Sequence, residues 1–354
     1  MQNPDRKIGN ANIREIPVED SIGISLAHDI TEIRRGEFKG RAFKRGHIVS
    51  EEDVEHLRRL GKERLFILDL SDDEIHEDDA ALILANALSG SGVKPGGPPK
   101  EGRINLVAER DGLFKVDKDN LFMFNMLADV MCATIHTNTI VRKGQTVAGT
   151  RAIPLVVKRR LIEEAEIVGN AILEVRELRK PKVGIIITGN EVYCGRVQDA
   201  FAPVLRKKID AYGGEITGIH YEPDDAFRIE QRLRDLRSIG ADLLLITGGL
   251  SVDPDDVTRF AVRRFGAKEI HYGSAVLPGA MILVAHVDDL DRTIPLIGIP
   301  ACGIFHEVTV FDLLLPRILA GEYIGRRELA ELGHGGLCLN CKECRYPVCP
   351  FGKS

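Results

Sequence analysis

Between residues 181 and 325 the chain alternates short apolar runs with amphipathic stretches. Pro181 opens a fully apolar run, 183–187, which reads as a strand buried on both faces. An amphipathic helix is predicted over 203–212, stopped by Gly213 and Gly214. A strand over 215–220, a helix over 225–238 and a strand over 242–247 follow. Two further strands are predicted over 281–286 and 293–299, and a helix over 304–318. This alternation implies a parallel sheet covered by helices on both faces.

Upstream the pattern is mixed, and residues 1–180 read as an α+β region. Strands are predicted over 64–69 and 152–157. Ser50 is a good N-cap before Glu51, Glu52 and Asp53, and Val54, Leu57 and Leu60 recur at helical spacing. A second helix is predicted over 78–88. Residues 89–102 are rich in Gly and Pro and read as a loop or an inter-subdomain hinge. The predicted organisation is therefore an N-terminal region over 1–180, an α/β domain over 181–325 and a tail over 326–354.

Charge and cysteine usage narrow the picture. The 354 residues carry a net charge of -5, which argues against a dedicated nucleic-acid binder. No apolar run approaches the roughly 20 residues of a membrane span. The first residues are polar and lack the apolar stretch of a secretory signal, so a cytoplasmic location is expected. Four of the seven cysteines, Cys338, Cys341, Cys344 and Cys349, fall in the last 17 residues. In a cytosolic chain such clustering reads as a metal or cluster site, not a disulfide framework.

Three glycine-bearing turns follow predicted strands, at the edge where open α/β sheets bind ligands. They are Thr188-Gly189-Asn190-Glu191, Thr247-Gly248-Gly249-Leu250-Ser251 and Gly298-Ile299-Pro300-Ala301-Cys302-Gly303. Gly248 and Gly249 let the backbone approach an anion, and Ser251 adds a hydroxyl. Asp253, Asp255 and Asp256 would repel a phosphate unless a cation such as Mg²⁺ lay between them. The same acids could instead complement a helix N-terminus.

Taken together these turns resemble the molybdopterin-binding domain of molybdopterin molybdenumtransferases, gephyrin E domains and molybdopterin adenylyltransferases. The resemblance rests on Thr-Gly-Asn-Glu at 188–191, on Gly195 with Asp199, and on Ala241-Asp242 followed by Thr247-Gly248-Gly249, Ser251 and Asp256. Leu277-Pro278-Gly279 resembles the family's Pro-Gly turn, and the Pro300 loop its Leu-Pro-Gly-Asn-Pro segment. The implied fold is a three-layer α/β domain with a parallel sheet. The implied ligand is adenylylated molybdopterin, used with molybdate and Mg²⁺. By position, Glu191, Asp242 and Asp256 match acidic residues with catalytic roles, Asp256 also facing the metal. Thr188, Gly189, Asp199, Thr247, Gly248, Gly249, Ser251, Pro278, Gly279 and Pro300 match cofactor-binding positions. Carboxylates would hold the cation that polarises the phosphoanhydride.

The chain also departs from the family. Ala301 and Cys302 replace the Gly and Asn of the loop, and an Arg-Asp-Ser-Asn segment becomes Gln198-Asp199-Ala200-Phe201. The N-terminal Ala-Met-Asp-Gly-Tyr-Ala segment is absent. His28, Asp29, Lys39, Arg41, Lys44, Arg45 and His47 stand there as a basic, His-bearing surface, read in preference as a solvated charged hairpin.

The tail reads Cys338-x2-Cys341-x2-Cys344-x4-Cys349-Pro350. Its first three cysteines have ferredoxin spacing, and four thiolates suit either a [4Fe–4S] cluster or Zn²⁺. The reading is molybdenum insertion into adenylylated molybdopterin with release of AMP. The alternative is a non-catalytic carrier of molybdopterin or molybdenum cofactor serving a client molybdoenzyme. A homo-oligomer is expected from the resemblance, and no nucleic-acid or membrane partner is expected.

Overall fold

The computed structural model describes residues 12–34, 38–250, 257–289 and 292–353. Two compact units are present. One spans Met1–Arg110, Lys115–Ile135 and Val141–Val175; the other spans Asp111–Phe114, His136–Ile140 and Arg176–Ser354. No described helix is long and apolar enough to cross a membrane.

In the first unit, β1 (Asn12–Pro17) precedes a hairpin of β2 (Ile30–Arg34) and β3 (Phe38–Phe43). Helix α1 (Glu51–Arg59) then leads to β4 (Arg64–Asp69), which returns antiparallel to β1. The predicted cap on α1 is a capping box: the Ser50 N–H and hydroxyl both donate to Asp53, at 2.9 and 2.8 Å. Leu57 on its inner face is buried with Val18, Ile30 and Leu65. The basic surface of this region is largely neutralised within itself. Arg41 pairs with Asp29 at 2.9 Å, Arg45 with Asp79 at 3.1 Å and His47 with Asp53 at 2.7 Å. The side chain of Lys39 lies outside the described residues.

The chain continues through α2 (Glu77–Leu88), β5 (Val93–Pro95), β6 (Arg103–Ala108), α3 (Lys118–Met126), β7 (Val130–Thr134), β8 (Thr146–Ala152) and α4 (Arg159–Val168). Its four strands form an antiparallel sheet in the order β5-β6-β8-β7. The small inner face of α2, Ala80, Ala81, Leu84, Ala85 and Leu88, packs on β6 and β8. Two expectations change here. Residues 89–102 are not a hinge, because Val93–Pro95 is a strand of this sheet. The strand expected over 152–157 is broken by Pro154, which offers no N–H to a ladder. Val156–Lys158 pairs instead with Glu74–His76.

Glu77 opens α2 and is 6% exposed. Burial, reinforced by the Asp78 carboxylate, pushes its pKa up to about 7, against the opposing charge of Arg151. Between about pH 4.5 and 7 the unfolded chain loses this proton while the folded chain keeps it, so stability falls as pH rises through that window. The Glu77→Gln variant is expected to exceed the parent at pH 8 by roughly 1–2 kcal/mol and to match it at pH 4.5. Urea unfolding at the two pH values checks this.

The second unit contains β9 (Lys182–Thr188), α5 (Asn190–Tyr193), α6 (Phe201–Asp210), β10 (Glu215–Glu222), α7 (Ala226–Ser238), β11 (Leu243–Thr247), α8 (Thr258–Arg264), β12 (Lys268–Tyr272), β13 (Leu283–Asp289), β14 (Arg292–Ile299), α9 (Cys302–Phe305), α10 (Val310–Leu319) and α11 (Arg326–Glu331). The six strands are ordered β10-β9-β11-β14-β13-β12. Alternate residues face opposite layers. Val183, Ile185 and Ile187 pack with Leu205 of α6 and Phe311 and Leu314 of α10. Ile186, Leu244 and Ile246 pack with Ile229 and Leu233 of α7 and Val262 of α8. The result is a three-layer α/β/α domain.

The expected parallel sheet is mixed. β10, β9, β11 and β14 run parallel, whereas β13 is antiparallel to both β14 and β12. The helix expected over 304–318 is two helices. Thr309 and Asp312 form a capping box that restarts the chain at Val310. The tail packs within this unit and does not form a third domain: Phe351 is 3% exposed in the β9–α10 core.

Candidate functional site

The parallel pairing levels the carboxyl ends of four strands. Thr188 lies opposite Glu222, Ile187 opposite Thr247, and Thr247 opposite Ile299. The turns at 189–191, 248–250 and 300–303 therefore leave the sheet from one edge. The loop after Tyr272, which carries Pro278 and Gly279, leaves from the same edge, because Tyr272 pairs with Leu283 and Leu283 with Gly298.

Thr188 sits between the first two turns. Its hydroxyl donates to the Thr247 carbonyl at 2.9 Å. Gly248 has φ +84°, and a Cβ there would stand 2.5 Å from the Thr188 carbonyl oxygen. A Cβ on Gly249 would stand 2.5 Å from the Thr258 hydroxyl, which itself donates to the Gly248 carbonyl at 3.0 Å. The Thr247 hydroxyl is buried and has no hydrogen-bond partner among the described residues. Both glycines are thus packed tightly against Thr188 and Thr258, which fixes the course of the turn at the end of β11. Ser251 and Asp256 lie outside the described residues.

Glu191 folds back over the first turn, with a carboxylate oxygen 2.9 Å from where a Gly189 Cβ would be. Asp224 ties this turn to β10, accepting from the Asn190 N–H at 3.1 Å. Beside it lies an open cavity of about 660 Å³, lined by Val192, Tyr193, Gln198, Asp199, Arg206 and Tyr221 among others. Asp199 builds the mouth of this cavity. Its carboxylate accepts from the N–H groups of Phe201 and Ala202 at 2.7 and 3.0 Å, and from the Tyr221 hydroxyl at 3.1 Å. Burial and the Asp199 charge raise the Tyr221 pKa, so its hydroxyl stays neutral and donates. Losing this cap in Asp199→Ala is expected to destabilise the fold by about 1 kcal/mol and to loosen the cavity wall. Thermal unfolding with and without ligand checks both effects.

Two site expectations change. Asp242 precedes β11 and so stands at the opposite sheet edge, ~16 Å of strand away from Gly248. There it forms an ion pair with Arg179 and accepts from the Lys182 N–H at 3.0 Å. It anchors the strand start and is not a catalytic group at the turns. Gly279 is a packing position: a Cβ there would collide with Val310, whose N–H donates to the Pro278 carbonyl at 3.2 Å. Pro300 caps the third turn, its carbonyl accepting from Gly303 at 2.9 Å. Burial raises the Cys302 pKa, keeping it a neutral thiol. Among the described residues no three His, Cys, Asp or Glu side chains are placed to hold a metal ion. Tyr221, Arg206 and Thr258 were not read from the sequence. Tyr221 had a detectable signal, since it lies next to the last residue of a strand that ends at the binding edge.

Residues 184–320 match the family described as "Probable molybdopterin binding domain", and residues 15–69 match a "Domain of unknown function (DUF8806)". Over 89 residues the chain is 39% identical to a CinA-like protein of Mycobacterium avium, covering 25% of this chain and 20% of that protein. Over 95 residues it is 39% identical to one from Mycolicibacterium vanbaalenii, covering 27% and 22%. The chain thus spans about a fifth of the length of these curated relatives. Among solved structures, the tungsten cofactor synthesizing protein MoaB of Pyrococcus furiosus aligns with a TM-score of 0.34 at 17% identity, covering 40% of this chain and 97% of that one. CinA of Thermoplasma acidophilum aligns with a TM-score of 0.31 at 16% identity, covering 35% and 90%.

Proposed function

We propose, on the premise that residues 184–320 form a domain of the molybdopterin-binding family, that this chain binds adenylylated molybdopterin at the carboxyl edge of its sheet. The phosphates lie over Gly248 and Gly249, and the pterin enters the cavity walled by Asp199 and Tyr221. The reaction is molybdenum insertion from molybdate, with the phosphoanhydride opened by water and AMP released. What supports the reading is that the turns at 189–191 and 248–250 leave one edge of the sheet, beside the open cavity walled by Asp199, Arg206 and Tyr221. Glu191 and Asp256 are the proposed carboxylates for Mg²⁺, which supplies positive charge to the leaving phosphate. Arg206 on the cavity wall is a counter-charge for the anionic ligand.

Anaerobic incubation with adenylylated molybdopterin, molybdate and Mg²⁺ tests this reading. Molybdate-dependent AMP release is expected. One observation favours a second reading, that of a cofactor carrier delivering to a client molybdoenzyme: Asp242 is used structurally, which removes one carboxylate from the catalytic set. Tight pterin binding without AMP release supports the carrier. Absence of pterin binding overturns both readings.

A further inference from the structure

Residues 338–350 contain no helix or strand, yet they are pinned at both ends. Leu337 bridges Leu277: the Cys338 N–H donates to the Leu277 carbonyl and the Leu277 N–H to the Gly336 carbonyl, both at 2.8 Å. At the far end Phe351 is buried in the core, and the Gly352 N–H donates to the Gly335 carbonyl at 2.9 Å. Between these pins, Cys338, Cys341, Cys344 and Cys349 all line one cavity of about 610 Å³. None of them is in a disulfide. Cys338 and Cys349 are half-buried against the core, and Cys341 and Cys344 are exposed.

The four thiols share one cavity, and the consecutive C-x2-C-x2-C spacing supplies three corners of a cuboidal cluster from one short loop. We propose that Cys338, Cys341, Cys344 and Cys349 hold a [4Fe–4S] cluster. It sits on the binding edge of the sheet, because its first pin is the Pro278–Gly279 turn and its wall includes Phe305 and Val308 beyond the Pro300 loop. The proposal does not depend on the pterin reading.

The test is anaerobic purification of the full chain from iron-replete cells, with iron, acid-labile sulfide and zinc determined per chain. About four iron and four sulfide are expected, with a brown visible absorption that dithionite bleaches. The double variant Cys341→Ser/Cys344→Ser changes two exposed side chains and is expected to lose iron about tenfold. Cys194→Ser, an exposed thiol outside the tail, is expected to keep its iron. Stoichiometric zinc without iron overturns the proposal. So do four freely alkylated tail thiols in the chain as purified anaerobically, or equal iron content in the double variant and the parent.

Discussion

Replacing Gly248 by alanine is expected to abolish binding of adenylylated molybdopterin, weakening it by at least about 100-fold (~2.7 kcal/mol). Two effects combine at this position. The backbone is left-handed, at φ +84°, which disfavours any β-carbon by about 1–2 kcal/mol. The added carbon also meets the Thr188 carbonyl at 2.5 Å, and a main-chain atom inside a sheet cannot rotate away. The turn must therefore move, and the adjacent strand ends that present Thr188 and Thr247 move with it. Stability is expected to fall by about 2–3 kcal/mol. Gly240→Ala is the matched control. It has a similar φ of +93° with nothing within 4 Å of the added carbon, so it isolates the strain from the collision. Calorimetric titration with the nucleotide, alongside urea unfolding of both variants, separates lost binding from lost stability.

The second large effect is expected at Arg317, which is 6% exposed in α10. Its Nε donates to Glu322 at 2.8 Å, and the Glu322 N–H donates back to the Arg317 carbonyl at 3.0 Å. Arg317→Met preserves the aliphatic packing but removes the close partner of a buried carboxylate. A second cation, Arg176, stands 3.9 Å away and is partly exposed. The variant is expected to lose about 2–4 kcal/mol, most of it the penalty of leaving Glu322 charged in a dry site. Arg317→Met/Glu322→Leu should recover most of that loss, because it removes both charges together. Urea midpoints at constant m decide the point. Pterin binding by the folded Arg317→Met protein is expected to survive, since Arg317 lies about two turns along α10 from Val310.

Most of the α/β architecture was legible because buried strands and amphipathic helices carry different periods. The run at 183–187 could only be a central strand, and it lies second in the sheet. Strand direction was not legible: an apolar run such as Val284, Ala285 and Val287 looks the same read either way, so the antiparallel β13 was missed. The break between α9 and α10 did have a signal, in Thr309 with Asp312 three residues on, but the apolar run past it reads as one helix. The turn at Gly248 and Gly249 was legible because a glycine pair closing an apolar strand marks a tight turn, and the left-handed backbone at both confirms it as one. Asp242 was misplaced because a motif gives order along the chain, not which end of a strand a residue occupies. Its pairing with Arg179 spans 63 residues and appears only in the fold.

The pinned tail has a consequence for ligand capture. A free chain of a dozen residues must lose conformational entropy each time it closes around a ligand. Here the Leu277 bridge and the burial of Phe351 have closed the loop already, so that ordering is borne by the folding of the domain. The four thiols line one cavity, at an effective concentration on the order of millimolar or above. Oxidation in air would then favour disulfides within the tail over crosslinks between chains.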